Sequence, residues 1–448
     1  MATSADLFHA RVPRYTSYPT APHFHAGITG ETVRGWLRNL PDGMPLSLYL
    51  HIPFCDTLCW FCGCHTKVVN HYSPVGSYLE YLFTEIANAA AVVGRAHRVT
   101  HIHWGGGSPT MLSPEDVKKL AGHIGAHFEI APHAEFAVEI DPRGLKDEMV
   151  EALAAAGLTR ASIGVQDCDD KVQRAINRIQ PFEVTRSAVE RLRAAGIHAL
   201  NIDLIYGLPY QTLAHVERTI EMSLGLAPQR FAVFGYAHVP HFKKHMQLIP
   251  EEALPNAEER LAQFELAHRI LSGSGYVPIG LDHFARPDDP LALAAAAGTL
   301  SRNFQGYTTD DAPALIGLGA SSISALPQGY AQNKTEVPDY RKAVEAGELP
   351  VARGIALSDD DRLRRAIIER LMCDLGVDLD RVAQPYGKSA ADFAAELAAL
   401  KPLIAQGFAT FAGGRLVVPA EARAAVRLVA AAFDTYLAKS TAVHAVAV

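Results

Sequence analysis

From residue 46 onward, apolar runs of strand length alternate with longer stretches in which apolar residues recur at helical spacing. The runs at 46–50, 100–104, 136–140, 160–165, 200–205 and 231–236 read as strands, and the stretches at 75–93, 114–127, 146–156, 185–195 and 214–226 read as helices. Local punctuation agrees. Ser113 stands as an N-cap, with Pro114 in the first helical position and Asp116 three residues after the cap. Gly157 and Gly196 stop the helices they follow. Such alternation implies parallel strands joined by right-handed crossovers. Six units of this kind fit an α/β fold, an incomplete (β/α)6 barrel.

The flanks differ. Residues 1–45 carry turn formers and aromatics with little periodicity, and read as an extended N-terminal arm. Beyond 350, Ser358 and the acidic run Asp359-Asp360-Asp361 open a long amphipathic helix. Helices at 390–405 and 420–437 follow, and 409–411 and 416–418 pair around Gly413-Gly414 as a hairpin. The expected organisation is an arm (1–45), a barrel with an extension (46–350) and a mostly helical, winged-helix-like C-terminal domain (351–448). Winged helices often bind DNA, but basic residues here are balanced by acids, so a lid or packing role is expected.

Composition narrows the class. The chain is 49% hydrophobic with a net charge of −7, which argues against a nucleic-acid partner. No apolar run reaches transmembrane length. The expectation is a cytoplasmic monomer without membrane or nucleic-acid partners.

Four of the six cysteines lie in the run Cys55-Asp-Thr-Leu-Cys59-Trp-Phe-Cys62-Gly-Cys64, on a loop leaving the first strand. Clustered thiols point to a reducing compartment. Cys55, Cys59 and Cys62, with gaps of three and then two residues, can wrap three thiolates around one face of a 4Fe–4S cube and leave its fourth iron open. Most iron–sulfur sites are closed by four cysteines. Structural zinc also takes clustered cysteines, but calls for a second ligand pair, and Cys168 and Cys373 are isolated. A disulfide is the remaining alternative, although nothing at the N-terminus marks secretion. Cys64 is left as a spare thiol, either a small buried group or a reactive one.

A three-cysteine loop with an aromatic, Phe61, just before the last ligand resembles the radical S-adenosylmethionine (SAM) superfamily. Other segments narrow the resemblance: Pro13-Arg14-Tyr15-Thr16-Ser17-Tyr18-Pro19-Thr20, Tyr49-Leu50-His51-Ile52-Pro53-Phe54, Trp104-Gly105-Gly106-Gly107-Ser108-Pro109-Thr110 and Glu139-Ile140-Asp141-Pro142-Arg143. So do Gly164-Val165-Gln166-Asp167, Asn177-Arg178, the run from Asn201 to Pro209 and Asp282-His283-Phe284-Ala285. From about residue 13 to the segment 433–437 the chain is similar to the oxygen-independent coproporphyrinogen III oxidase family. Trp60 stands where Tyr is usual, Ser108 where Thr is usual and Gly235 where Asn is common.

The resemblance implies a radical SAM barrel holding a 4Fe–4S cluster, with Cys55, Cys59 and Cys62 as ligands. It also implies that an electron splits SAM into a 5′-deoxyadenosyl radical, and that two propionates of coproporphyrinogen III become vinyl groups in haem biosynthesis. It gives Tyr49, Gly106, Glu139 and Ile323 to the cluster-bound SAM. Phe61, Gly107, Ser108, Gln166, Arg178, Asp203 and Ala237 go to a second SAM, with Arg178 taking a carboxylate in bidentate fashion. Gly105–Gly107, Glu139, Gln166, Asp203 and Ala237 would then gather at the C-terminal ends of separate strands, where barrel active sites form. His283, Arg286, Arg302, Asn303 and Gln305, with Arg14 and Tyr15 from the arm, are candidates for substrate, and Cys64 for catalysis. The arm is expected to have little apolar surface to pack, and to fold over the rim without being needed for the barrel. An electron donor and an acceptor are implied but not identified. The runner-up is a haem-binding chaperone that keeps the cluster, although that branch generally lacks Cys64 and the arm. A radical enzyme acting on haem itself is the third reading.

Overall fold

Alternation along each central strand decides the architecture. In Ala199–Tyr206, Leu200, Ile202, Leu204 and Tyr206 are buried, and Asn201 and Asp203 take the opposite face. Six such strands pair in parallel in chain order: β1 (Leu46–Ile52), β2 (Arg98–Gly106), β3 (Glu129–Ile140), β4 (Arg160–Gln166), β5 (Ala199–Tyr206) and β6 (Arg230–Gly235). The computed structural model describes residues 10–437; residues 1–9 of the expected arm and 438–448 of the expected C-terminal domain lie outside it. Helix α1 (Gly30–Arg38) precedes the strands. Through residue 273 it is followed by α2 (Ser73–Val93), α3 (Pro114–His127), α4 (Asp147–Ala155), α5 (Asp170–Ala175), α6 (Phe182–Ala194), α7 (Leu213–Leu224) and α8 (Ala257–Gly273). All but α5 turn their apolar faces to the aliphatic side of the sheet. The Ser113 cap forms as read, accepting from Asp116 N at 3.1 Å.

The barrel stays open. Beyond β6 the sheet continues through β7 (Val277–Ile279) and β8 (His283–Ala285), and beyond β1 through β9 (Ala314–Leu318), β10 (Ile323–Leu326), β11 (Gly329–Asn333) and β12 (Val351–Ala356). The order across the sheet is β12-β11-β10-β9-β1-β2-β3-β4-β5-β6-β8-β7, so its edges never meet. Only β9 among the added strands runs parallel to its barrel neighbour.

The C-terminal helix α9 (Asp359–Asp374) starts on a capping box between Ser358 and Asp361. The single helix expected at 390–405 is broken into Ala390–Phe393, Ala394–Ala399 and Lys401–Ala405, with Pro402 starting the last. The stretch expected at 420–437 is helical only through Ala420–Ala425 and Val426–Ala431. The hairpin forms between Thr410–Ala412 and Arg415–Val417, and Gly376–Asp378 adds a third strand.

The N-terminal arm departs most from expectation. Residues 30–38 are helical, begun by a capping box of Thr29 and Thr32. The segment before them is packed, not loose: Tyr15 and Tyr18 are only 4% and 1% exposed. Tyr15 Oη donates to Asp434 Oδ2 at 3.1 Å, and Tyr18 Oη meets Thr435 Oγ1 at 3.1 Å. Arg427 donates to the carbonyls of Pro13, at 3.0 Å, and Val12. The arm therefore clasps the C-terminal segment, and its tyrosines supply the apolar surface that composition hid. Replacing the buried ring in Tyr18→Ala should cost about 3–5 kcal/mol, and removing residues 1–20 should lower the melting temperature. Calorimetry on full-length and truncated protein would check this; equal melting temperatures would show the arm to be dispensable.

Candidate active site

The cysteine loop is fixed at its base and flank by backbone groups. Phe54–Cys55 pairs in parallel with Lys67–Val68, and Lys67 N donates to Pro53 O at 2.7 Å. Across the opening, Asn177 Nδ2 donates to Leu58 O at 2.8 Å and Trp60 N to Ile176 O at 2.9 Å. Asn177 has a φ of 53°, in the left-handed region that asparagine enters more readily than most residues. Trp60 and Phe61 pack on Val172 and Ile176, so α5 and the turn after it hold the loop from the far side of the barrel mouth.

Cys55, Cys59, Cys62 and Cys64 line one open cavity with an empty volume of about 750 Å³, together with Phe61, Gly106, Gly107, Ser108, Glu139, Gln166, Arg178 and Asp203. Donors surround the sulfurs. Thr66 Oγ1 is 3.1 Å from Cys55 Sγ, and Cys59 Sγ is faced by Arg178 Nη1 at 3.5 Å and Arg143 Nη2 at 3.6 Å. Both guanidinium groups rest on Asp141, at 3.1 Å from Arg178 and 2.6 Å from Arg143. Burial alone would raise the Asp141 pKa, but the two arginines outweigh it and hold the carboxyl below its usual range. Cationic and hydroxyl donors aimed at sulfur are what thiolate ligands need. Among the described residues, no three His, Cys, Asp or Glu side chains gather closely enough to hold a single metal ion. The donor set fits a cluster held by three thiolates.

Opposite the thiols, the Gly105–Gly107 turn leaves β2 pressed against β1. Gly107 N donates to Ile52 O at 2.9 Å and Ser108 N to Phe54 O at 2.7 Å. Gly106 has a φ of 107°, and a Cβ there would strike the His51 ring, so only glycine fits. Glu139 accepts from Gly106 N at 3.1 Å and pairs with His103 Nε2 at 3.1 Å. Burial would raise its pKa, but the His103 hydrogen bond and the Gly106 amide bring it below the ordinary value, so it stays ionised. Asp203 accepts from Ser162 Oγ at 2.9 Å and Asn201 Nδ2 at 2.7 Å, and burial, reinforced by the charge of Glu139, pushes its pKa up to about 6.

Most of the SAM candidates thus share one wall. Tyr49 stands behind it, its hydroxyl 3.0 Å from His51 Nδ1. Ile323, at the start of β10, packs with Phe304 and Tyr330, and neither it nor Ala237 lines the cavity. Arg178 is not free for a bidentate carboxylate: its Nη2 donates to Gly164 O at 2.7 Å, its Nη1 is held by Asp141 and Cys59, and only Nε lacks a partner.

The substrate candidates fall into separate places. His283 and Gln305 line a second cavity deeper in the barrel, with His103, Arg160 and Arg230. Tyr15, Arg302 and Asn303 line a small groove beside the arm. Arg14 is half-buried, donates to Gly235 O, and its own carbonyl accepts from Arg302 Nη2 at 3.4 Å. Both cations face Asp282. Burial would raise its pKa, but the His283 hydrogen bond and these arginines hold it at about 2. Arg286 lies away from all of these, half-exposed beside Asp288 and hydrogen-bonded through its amide to Gln229, just before β6 begins. Asp141 and Arg143 lay within a recognised motif, and His103 precedes Gly105 by the two residues that share a strand face. Lys243 and His245, which bond the carbonyls of Cys64 and Cys62 at 2.9 and 2.8 Å, gave no sequence signal at a separation of about 180 residues.

A cavity lined by four cysteines at the C-terminal mouth of an open six-stranded parallel barrel, facing a glycine turn, defines a radical SAM enzyme, and residues 49–223 match the Radical SAM superfamily model. Residues 357–424 match the HemN C-terminal domain. The chain is 50% identical over 438 residues to the oxygen-independent coproporphyrinogen III oxidase of Bradyrhizobium diazoefficiens, covering 98% of this chain and 97% of that one. It is 40% identical to the protein of that name from Synechocystis, over 97% of this chain and 95% of the relative. The solved coproporphyrinogen III oxidase (HemN) of Escherichia coli superposes with a TM-score of 0.90 at 38% identity, covering 96% of this chain and 100% of that one. This chain belongs to the oxygen-independent coproporphyrinogen III oxidase family, whose members use a 4Fe–4S cluster and SAM.

Replacing Cys55, Cys59 or Cys62 by Ala should abolish the cluster's visible absorption and all SAM cleavage, whereas Cys64→Ser should retain the cluster. Iron and sulfide content after anaerobic reconstitution would decide. Loss of the cluster in Cys64→Ser to the same degree would make Cys64 a ligand.

Proposed function

We propose that this chain decarboxylates two propionate side chains of coproporphyrinogen III to vinyl groups, giving protoporphyrinogen IX and two CO₂ without oxygen. The observation that carries the reading is the convergence of three thiols, the Gly105–Gly107 turn, Glu139 and Asp203 on one cavity. When bound, the cluster and SAM would supply the radical chemistry by which a propionate gives up a β-hydrogen, one electron and CO₂. An unactivated C–H bond lies beyond side-chain acids and bases, so the protein's part is position and electrostatics.

The residues divide that work. Cys55, Cys59 and Cys62 hold the cluster, and Arg143 and Arg178 steady the Cys59 sulfur. Gly106 presents backbone to the charged end of SAM, and Glu139 offers it an ionised carboxylate. Asp203, Gln166, Gly107 and Ser108 form the wall on which the rest of the cofactor, or a second SAM, lies. Cys64, exposed at the cavity, is the thiol of the run left to act near the substrate. For propionates, Arg302 is the cation with donors to spare, since its buried Nε and Nη1 have no hydrogen-bond partner. No helix among the described residues is long and apolar enough to cross a membrane. The thiol-rich site suits the reducing cytoplasm.

Cluster-loaded protein with SAM, coproporphyrinogen III, a reductant and an electron acceptor should yield protoporphyrinogen and 5′-deoxyadenosine under strict anaerobiosis. Tight stoichiometric haem binding with no porphyrin product would favour the chaperone reading instead.

Asp203 gives a second test. It takes up a proton as pH falls through about 6, and a neutral acid accepts hydroxyl hydrogens more weakly than a carboxylate. SAM affinity of the cluster-loaded protein, measured by equilibrium dialysis, should fall about tenfold below that pH. Asp203→Asn should bind weakly at every pH. Wild-type affinity that does not change across pH 6 would remove Asp203 from the cofactor contacts.

A further inference from the structure

The loop after β6 reads His238-Val-Pro-His241-Phe242-Lys243-Lys244-His245, with three histidines, two lysines and no acid, in a chain of net charge −7. It lies against the cysteine loop. Lys243 Nζ donates to Cys64 O at 2.9 Å and His245 Nε2 to Cys62 O at 2.8 Å. One hydrogen bond thus separates each of these half-buried side chains from the backbone of the cysteine loop. A groove of about 670 Å³ runs between the two loops. Its only acidic lining residue is Glu336, which Lys67 neutralises at 3.3 Å. Asp56 and the pair Glu251 and Glu252 are the other acids nearby in sequence, one on the cysteine loop and two beyond the basic run.

Large apolar side chains are also exposed on the loop after β6 and next to Arg178. Among the described residues, Phe242, Ile179 and Leu248 are three of the four most exposed large apolar side chains, at 68%, 62% and 57%. Ile179 follows Arg178, which touches Cys59. Leu248 closes the short turn Lys244–Leu248, whose Met246 packs in the cluster that also takes Trp60 and Phe61. Exposed apolar groups inside a charged rim mark a contact surface.

We propose that this face is the docking site of a small acidic one-electron carrier protein, which reduces the cluster beside it. The proposal rests on the radical SAM reading above. In the transfer the carrier loses one electron and the oxidised 4Fe–4S cluster gains it; no bond forms or breaks, and no proton has to move. An acidic carrier is repelled by most of an acidic protein, so a local basic patch sets where it lands and how fast. Such encounters are small and transient, which suits three exposed apolar anchors rather than a deep interface.

The test uses anaerobic, cluster-loaded full-length protein and reduced flavodoxin as the acidic probe, with bleaching of the cluster followed by stopped flow. The double variant His241→Glu/Lys244→Glu alters exposed side chains that bond neither cysteine carbonyl. It should slow reduction about tenfold at low salt and flatten the salt dependence. Phe242→Ala should raise the flavodoxin concentration needed for half-maximal rate several-fold. Reduction by dithionite, iron content and SAM binding should stay at wild-type values in each. Variants reduced by flavodoxin at the wild-type rate, or a wild-type rate indifferent to salt, would overturn the docking site alone. Failure of the wild-type protein to cleave SAM with dithionite would instead sink the functional reading, and this proposal with it.

Discussion

A parallel barrel that turns ionisable side chains inward has to pair each of them, and that requirement organises this molecule. Most such barrels fill the interior with branched aliphatic residues. Here the aliphatics face the helices, and the lumen holds His101, His103, Glu135, Glu139, Arg160, Asp203 and Arg230. Arg160 meets Glu135 at 3.1 Å, Arg230 meets Asp289 at 2.7 Å and His101 meets Asp310 at 3.1 Å, which closes the lower barrel with matched charge. Higher up, Glu139 and Asp203 are satisfied by weaker partners, a histidine, a hydroxyl and two amides. Their lone pairs are therefore the ones available to a bound cofactor.

The ring of donors around the thiols extends the same logic outward. Arg178 looks from its position like a ligand-binding cation, yet its two Nη atoms are already spent on Gly164, Asp141 and Cys59. Removing it would strand the Asp141 carboxylate with Arg143 alone and loosen the sulfur both arginines face. Buried charges broken on one side are costly because the partner is left unpaired. Arg178 is better understood as the brace between α5, the β3 rim and the cluster loop.

Strands were legible because period-two alternation survives any chemistry on the inner face: β5 announces itself through Leu200, Ile202 and Leu204 whether Asp203 binds a ligand or not. The rim motifs were legible for the same reason, since a strand end fixes where its last residues point. Helix α1 was missed because Gly30 and Gly35 lower its propensity, and its Thr29–Thr32 box lacks the usual acid. The helix at 390–405 was over-read through the Ala-rich run, which the break ahead of Pro402 divides. Which cations remain free was not legible. Arg14 and Arg302 look alike in sequence, and only packing shows that both face Asp282 while Arg302 keeps donors to spare. Arg286 has the composition of its neighbours but follows the short strand β8, which runs antiparallel to β6 and carries it to the opposite end of the barrel.

The clasp between the arm and the C-terminal segment has a consequence for how the protein is made. Tyr15, Tyr18 and the carbonyls of Val12 and Pro13 find their partners at Asp434, Thr435 and Arg427, more than four hundred residues later. During synthesis the arm emerges before the barrel and must wait, its tyrosines uncovered, until the segment from Arg427 to Thr435 has left the ribosome. Contacts of such sequence separation form late and slowly. The run from Cys55 to Cys64, by contrast, takes its hydrogen bonds from partners no further along than Lys243 and His245. A nascent chain can thus shape its cluster pocket well before the fold is fastened, leaving an interval in which metal loading and final closure are separate events.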